Sequence, residues 1–122
     1  MRVPFEELKA TIKKALLLAG LSEEKAEICA QIHSESSLEG VESHGLNRVP
    51  RFIDYVQKGR VHVDAEPTLV TGKAAIENYD GNLGIGITNA IFSMNRAMAL
   101  ADQYGVGVVT MKHTNHWMRG GT

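Results

Sequence analysis

A histidine and an arginine stand four residues apart in the tract Glu42–Arg48, which reads ESHGLNR. Reduction of a ketone next to a carboxylate needs a proton donor at the carbonyl oxygen and a planar cation for the carboxylate. His44 suits the first task because the pKa of an imidazole lies near neutrality. Arg48 suits the second because its guanidinium stays charged and meets a carboxylate with two parallel N–H groups. If the tract leads directly into a helix, the two side chains lie about one turn apart.

The same pattern also allows a plainer interpretation. The tract can be a solvated loop between two helices, with Arg48 as one of several surface cations, and spacing alone favours this outcome. Gly45 fits either interpretation, because glycine permits a sharp turn or a close backbone approach to a ligand.

A second polar tract, His113–Thr122, follows an apolar run near the end of the sequence. Polar loops that follow buried strands often carry the sites of α/β proteins. Asn115 and His116 could hydrogen-bond a polar substrate or a nicotinamide amide, and Trp117 could wall the pocket. The alternative is a surface loop that is anchored by its tryptophan.

Other residues of chemical interest give weaker signals. His113, His116 and His44 could supply three zinc ligands, but Cys29 is the single cysteine and none of the usual paired spacings occurs, so we expect no metal site. His33 and His62 are predicted to be solvated. The glycine run at residues 81–86 lacks the G-x-G-x-x-G spacing of a dinucleotide fingerprint, so it predicts a turn and a helix entry.

Three helices are predicted in the first half of the chain. Apolar residues from Leu8 to Ala19 recur at helical spacing and end at Gly20, and Ser22 is the expected N-cap of a second helix that runs to near Gly40. A third helix, capped by Asn47, should extend to Gly59 with Pro50 in its first turn. Its expected buried positions are Val49, Phe52, Ile53 and Val56.

The apolar period changes after Val61. Residues 68–71 and 74–79 predict short strands, with turns at residues 72–73 and 80–81. Residues 85–104 predict a helix, and Val106–Met111 is typical of a buried strand. The expected fold class is therefore α/β (α+β mixed): a helical segment, then a small mixed sheet with a covering helix, and not a Rossmann fold.

Composition restricts the classes of function. The chain has 122 residues with 43% hydrophobic residues, and its 13 basic and 14 acidic residues leave a net charge of −1. This balance disfavours nucleic acid and anionic membranes as partners, and no apolar run approaches the roughly 20 residues of a membrane span. A single cysteine and a start without a signal-peptide core predict a cytoplasmic protein.

Two tracts together, Glu42–Phe52 and Asn115–Trp117, closely resemble the malate/L-lactate dehydrogenase family of NAD(P)-dependent oxidoreductases, which lack a Rossmann fold. The resemblance covers the whole chain. It implies that His44 is the catalytic acid/base, that Arg48 holds the substrate carboxylate, and that His116 lines the substrate and nicotinamide pocket. It also implies NADH as cofactor, with NADPH an alternative, a 2-keto or 2-hydroxy acid as substrate, and a homodimer.

The chain departs from the family in three ways. Glu42 stands where aspartate is frequent, and His113 stands where asparagine is common, so His113 inherits no role. Family members are several-fold longer, which predicts an N-terminal portion with a helical segment at 1–60 and the start of an αβ domain at 61–122. Most cofactor contacts of the family lie in its later part, so no firm cofactor-binding residue is expected. A truncated binding or interaction module without turnover stays an alternative.

Overall fold

The computed structural model describes residues 2–118, and the chain divides between Val63 and Asp64 into two compact units. In these described residues the first unit contains helices and the second contains a three-stranded mixed sheet with one long helix. This confirms the predicted fold class.

The first unit is built on two helices, α1 (Phe5–Leu18) and α2 (Glu23–Leu38), which pack against each other. Ser22 caps α2 as predicted, because its Oγ accepts the Lys25 N–H at 3.3 Å. The core between the helices is apolar and nearly inaccessible: Ile12, Leu16, Ala26, Cys29 and Ala30. Burial raises the pKa of the Cys29 thiol to about 12.

The third helix, α3 (Val49–Gln57), begins later than the sequence predicts. The expected Asn47 cap is wrong, because Asn47 lies inside a 3₁₀ helix (Leu46–Arg48) and no side chain caps α3. Pro50 lies in the first turn of α3, as expected. On the expected buried side of α3, only Val49 is fully buried.

The second unit contains strands β1 (Thr68–Lys73), β2 (Ile76–Gly84) and β3 (Val108–Thr114), in that order across the sheet. The pair β1–β2 is antiparallel, and the pair β2–β3 is parallel. Helix α4 (Gly86–Tyr104) makes the crossover that a parallel pair requires, and it packs on β2 and β3.

Both predicted strand turns are wrong. Strand β1 continues through Gly72 and Lys73, and the chain turns at 74–75. Strand β2 continues through Asp80 and Gly81, with an irregular register against β3 between Asp80 and Gly84. The prediction that β3 is a buried strand is also wrong, because its residues are exposed or half-buried along its length.

Among residues 2–118, no helix is both long and apolar enough to cross a bilayer.

Candidate active site

The residues Glu42–Arg48 form two consecutive 3₁₀ helices, Glu42–His44 and Leu46–Arg48, which are separated by Gly45. The Gly45 backbone, with φ −96° and ψ −137°, interrupts the helical path. The sequence predicted that His44 and Arg48 lie one helical turn apart. The structure differs, because no continuous α-helix joins them. They lie on either side of Gly45, where the helical path is interrupted, and both side chains are half-buried. We name residues 42–48 the catalytic turn, after the role that the sequence predicts for them.

Ser43 contacts both predicted site residues. Its Oγ lies 2.8 Å from His44 Nδ1, and its carbonyl oxygen accepts the Arg48 Nε–H at 2.8 Å. The imidazole and the guanidinium are thereby fixed to one residue, through its hydroxyl and its main chain. Fixed side chains lose less conformational freedom when they engage a ligand.

These two contacts indicate which nitrogen atoms of His44 and Arg48 would contact a ligand. Because Ser43 contacts Nδ1 of His44, proton exchange with a ligand would use Nε2. Because Nε of Arg48 is held by the Ser43 carbonyl, the two terminal Nη groups are the ones that can meet a carboxylate side by side. The catalytic turn can therefore donate a proton and bind an anion.

Helix α2 supports the catalytic turn through His33. This histidine is 1% exposed, so the prediction that it is solvated is wrong. Its Nδ1 lies 3.3 Å from the Gly45 carbonyl oxygen. Burial lowers the pKa of the His33 imidazole; hydrogen bonds to the Gly45 and His44 main chain partly oppose this effect, and the positive charge of Arg48 adds to it. His62, in contrast, is exposed as predicted.

Ser37 makes a second link between α2 and the catalytic turn. Its Oγ accepts the Leu46 N–H at 2.8 Å. A Cβ added at Gly45 would overlap this hydroxyl and approach the Ser37 backbone nitrogen to 2.9 Å. Gly45 thus permits a close approach of the catalytic turn to α2, and a glycine is needed there for packing.

Sequence reasoning missed Ser43, His33 and Ser37 as supports of the site. A serine beside a histidine carries no spacing signal of its own. His33 did carry one: it lies four residues after Cys29 and three after Ala30, so the helical period of α2 continues the buried stripe through it.

The second predicted tract is only partly a loop. His113 and Thr114 belong to β3, and residues 115–118 follow it. Residues 119–122 lie outside the described residues. Thr114 Oγ1 accepts hydrogen bonds from Asn89 Nδ2 at 2.9 Å and from Trp117 Nε1 at 3.2 Å. Asn89 is almost completely buried, so the start of the loop is fixed to α4.

Asn115 and His116 have the donors that a carboxamide would need. Asn115 is half-buried, and its N–H donates to the Gly84 carbonyl at 3.4 Å. His116 is exposed, and its Nδ1 accepts the Met118 N–H at 2.8 Å, so the proton of the neutral ring lies on Nε2. The Asn115 amide and His116 Nε2 are N–H donors of the kind that bind a nicotinamide carbonyl.

The glycine run does not fit the pyrophosphate of a dinucleotide. Gly81 and Gly84 belong to β2, and Gly86 begins α4, so a helix entry is confirmed and the predicted turn is wrong. A Cβ at Gly86 would overlap the His116 carbonyl oxygen and lie 2.5 Å from that of Asn115. Carbonyl oxygens carry partial negative charge, so this side of the first turn of α4 would repel phosphate.

His113 pairs with a carboxylate. Its Nδ1 lies 3.0 Å from Asp80 Oδ2 across the β2–β3 pair. The pKa of Asp80 is lowered by the Asn82 N–H and by His113. Within residues 2–118, no group of three or more His, Cys, Asp or Glu residues is placed to hold a metal ion.

Comparison with known proteins gives consistent matches. The family described as malate/L-lactate dehydrogenase matches residues 3–122. A 2,3-diketo-L-gulonate reductase from Pasteurella multocida (strain Pm70) is 48% identical over 121 residues, which are 99% of this chain and 36% of the relative.

Solved structures resemble the fold closely. A malate dehydrogenase from Pyrococcus horikoshii OT3 superposes with a TM-score of 0.92 at 31% identity, over 97% of this chain and 34% of that one. A sulfolactate dehydrogenase from Methanocaldococcus jannaschii gives a TM-score of 0.90 at 31% identity, with the same coverage. The chain spans about a third of the length of the relatives it matches, and their fold is not the Rossmann fold.

Proposed function

The chain belongs to the malate/L-lactate dehydrogenase family, and from this we propose that it reduces a 2-keto acid with NADH. The preferred substrate is 2,3-diketo-L-gulonate, reduced to 3-keto-L-gulonate. The observation that carries the proposal is the catalytic turn, in which Ser43 holds both a proton donor, His44, and a carboxylate-binding cation, Arg48.

His44 supplies the proton of the reduction. When bound, NADH supplies hydride to the carbonyl carbon at C2. Negative charge then develops on the carbonyl oxygen, and protonated His44 transfers the proton from Nε2 to it, which completes the hydroxyl group. Nδ1–H stays directed at Ser43 Oγ before and after the transfer, since a hydroxyl oxygen can accept it in both charge states.

Arg48 binds the carboxylate next to the reacting carbonyl. Its Nε–H is held by the Ser43 carbonyl, so the guanidinium presents its two Nη groups in a fixed plane. A carboxylate that is bound in this way has its adjacent C2 carbonyl at a defined orientation. Orientation of this kind accounts for a large share of catalysis in reactions between bound groups.

Asn115 and His116 are proposed to bind the nicotinamide carboxamide or the polar groups of the substrate. The support is the donor set of the loop and its attachment through Thr114 to the buried Asn89. The proposal gives them binding roles only.

The substrate class is supported by the names of the relatives. Diketogulonate, malate and sulfolactate all carry an oxygen function on the carbon next to a carboxylate. The chain is more similar in sequence to the diketogulonate reductase, at 48% identity, than to the two others, at 31%. The alternative within the family is a malate- or lactate-type dehydrogenase.

The test is substrate-dependent oxidation of NADH by the full-length protein. We expect turnover of 2,3-diketo-L-gulonate in preference to oxaloacetate and pyruvate, and NADH in preference to NADPH. His44→Ala should lower kcat about 10²- to 10⁴-fold, the usual range for loss of a general acid.

The matched control is His62→Ala, which removes an exposed histidine of the same unit and should leave kcat unchanged. Near wild-type turnover by His44→Ala at neutral pH would remove His44 from the mechanism. Absence of turnover with any 2-keto acid and either cofactor would contradict the proposed function itself.

A further inference from the structure

We propose that His33 and Ser37 are positioning residues, which hydrogen-bond the peptide group between Gly45 and Leu46. By fixing this peptide group, they determine the positions of His44 and Arg48. We name these two α2 side chains the peptide clamp. The proposal rests on the proposed function for its catalytic consequence, whereas the clamp itself can be tested without turnover.

The clamp holds both polar ends of one peptide group. The Gly45 carbonyl accepts from His33 Nδ1 at 3.3 Å, and the Leu46 N–H donates to Ser37 Oγ at 2.8 Å. In a planar trans peptide these two groups belong to one rigid unit and point in opposite directions. His33 and Ser37 lie one turn apart on the same face of α2, so they engage the two ends together.

The Gly45 carbonyl is also the acceptor for the main chain of Arg48, whose N–H donates to it at 3.0 Å. A rotation of the clamped peptide would therefore break the first hydrogen bond of the 3₁₀ helix that carries Arg48. On the other side, His44 is joined directly to Gly45. The clamped peptide thus lies between the two site residues and is coupled to both.

The hydrogen bond to the Gly45 carbonyl oxygen determines which ring nitrogen of His33 carries a proton. A carbonyl oxygen can only accept, so Nδ1 must carry the proton. His33 is buried and its pKa is lowered, which keeps the ring neutral at neutral pH with its one proton on Nδ1. His33 is therefore a neutral donor, and it adds no charge beside Arg48.

Glycine is required for this arrangement. Because a Cβ at Gly45 would overlap Ser37 Oγ, any side chain there would push the catalytic turn away from α2. The same observation shows how short the distance between turn and helix is. Placement errors of about 1 Å can lower catalysis about 10²-fold, so contacts at this distance matter for rate.

Ser37 is tested with the pair Ser37→Ala and Ser37→Thr in the full-length protein. The alanine variant loses the acceptor for the Leu46 N–H, whereas threonine keeps a hydroxyl. We expect Ser37→Ala to lower kcat/KM for the 2-keto acid about 10- to 100-fold with an unchanged KM for NADH, and Ser37→Thr to restore most of the loss. Wild-type kcat/KM in Ser37→Ala would overturn the role of Ser37.

His33 is tested with His33→Asn and His33→Gln, both polar and therefore comparable in folding. An asparagine amide nitrogen can occupy the place of Nδ1, whereas a glutamine amide reaches the place of Nε2. We expect His33→Asn to retain more kcat/KM than His33→Gln. Equal activity of His33→Gln and the wild type would overturn the role of His33.

Two further measurements test the clamp without turnover, and the first of them does not depend on the proposed function. Hydrogen exchange of the Leu46 amide should be faster in Ser37→Ala than in Ser37→Thr, with the amides of α3 unchanged. Calorimetry with oxamate, a 2-keto acid analogue that is not reduced, should show weaker binding by Ser37→Ala than by the wild type or Ser37→Thr. If the wild type has no turnover and binds no oxamate, the proposed function fails, and hydrogen exchange of the Leu46 amide still decides the clamp: an unchanged exchange rate in Ser37→Ala overturns it.

Discussion

Ser43 engages His44 through its hydroxyl and Arg48 through its carbonyl, so one residue sets the direction of two side chains with different tasks. The main-chain contact is independent of the residue type at position 43, whereas the hydroxyl contact is not. Orientation of Arg48 therefore depends on backbone geometry, and orientation of His44 depends on a side chain. The two can be perturbed separately.

Arg48→Lys tests the guanidinium at the residue scale. Lysine keeps the charge but has no planar fork, so it cannot hold the Ser43 carbonyl and present two parallel N–H groups to a carboxylate. We expect KM for the 2-keto acid to rise about 10- to 100-fold, the equivalent of one lost charge-assisted hydrogen bond, with a smaller change in kcat. Steady-state kinetics at saturating NADH measures this, and an unchanged KM would contradict the carboxylate role of Arg48.

The pair His44 and Arg48 could be selected from the sequence because its residue types match a chemical task. Its supports could not be selected in the same way. His33 contacts Gly45, 12 residues further along the chain, and Ser37 contacts Leu46, nine residues further. Such contacts depend on how the chain folds back on α2, which no local pattern encodes.

At the element scale, β2 and α4 are joined by a charged network. Arg96 donates to both carboxylate oxygens of Glu77 at 2.6 Å, and Tyr79 Oη donates to Glu77 Oε2 at 2.8 Å. Tyr79 also packs edge-on against Phe92 of α4 with ring centroids 4.9 Å apart. The Arg96 guanidinium and the Tyr79 hydroxyl lower the pKa of Glu77 to about 2.

This network predicts an acid-dependent stability. A carboxylate whose pKa is lowered by folding stabilises the fold above its unfolded pKa of 4.5 and loses that contribution as the pH falls towards 2. Glu77→Gln should lower the Tm at pH 7 by several degrees and make the Tm less dependent on pH between 5 and about 2. Thermal unfolding across this range tests the prediction.

The control variant is Asp102→Asn, which changes an exposed carboxylate on α4, the helix that also carries Arg96. It should leave the pH dependence of the Tm as in the wild type. If Glu77→Gln and Asp102→Asn gave the same pH profile, the network would not be the source of the acid sensitivity.

Helices were more predictable than strand ends, for a physical reason. Gly72 and Gly81 indicated turns, yet both lie inside strands. A Cβ at Gly81 would lie 2.8 Å from Asn89 Nδ2 and 3.0 Å from the His113 carbonyl oxygen. Glycine is present there because α4 and β3 approach the strand closely, and a single-residue signal cannot separate that need from a turn.

At the scale of the whole molecule, each unit has buried apolar residues of its own, such as Leu16 in the first and Ile85 in the second. The second unit also leaves large apolar side chains exposed, among them Leu69, Met94 and Val108. The apolar run of β3 predicted burial, because a sequence pattern shows only which side chains are apolar. Whether a face is covered depends on what packs against it.

The parallel pairing of β2 with β3 has a consequence for the order of folding. Asn78 and Thr110, which hydrogen-bond across this pair, are 32 residues apart in sequence, whereas α1 and α2 are joined by a short connection. Contacts between distant residues cost more chain entropy before they stabilise anything, so they form later. In pulsed hydrogen exchange during refolding, we expect the amides of α1 and α2 to become protected before those of β3. Earlier or simultaneous protection of β3 would contradict this order. The helical unit that carries His44 would then be formed while the sheet that leads to Asn115 and His116 is still assembling.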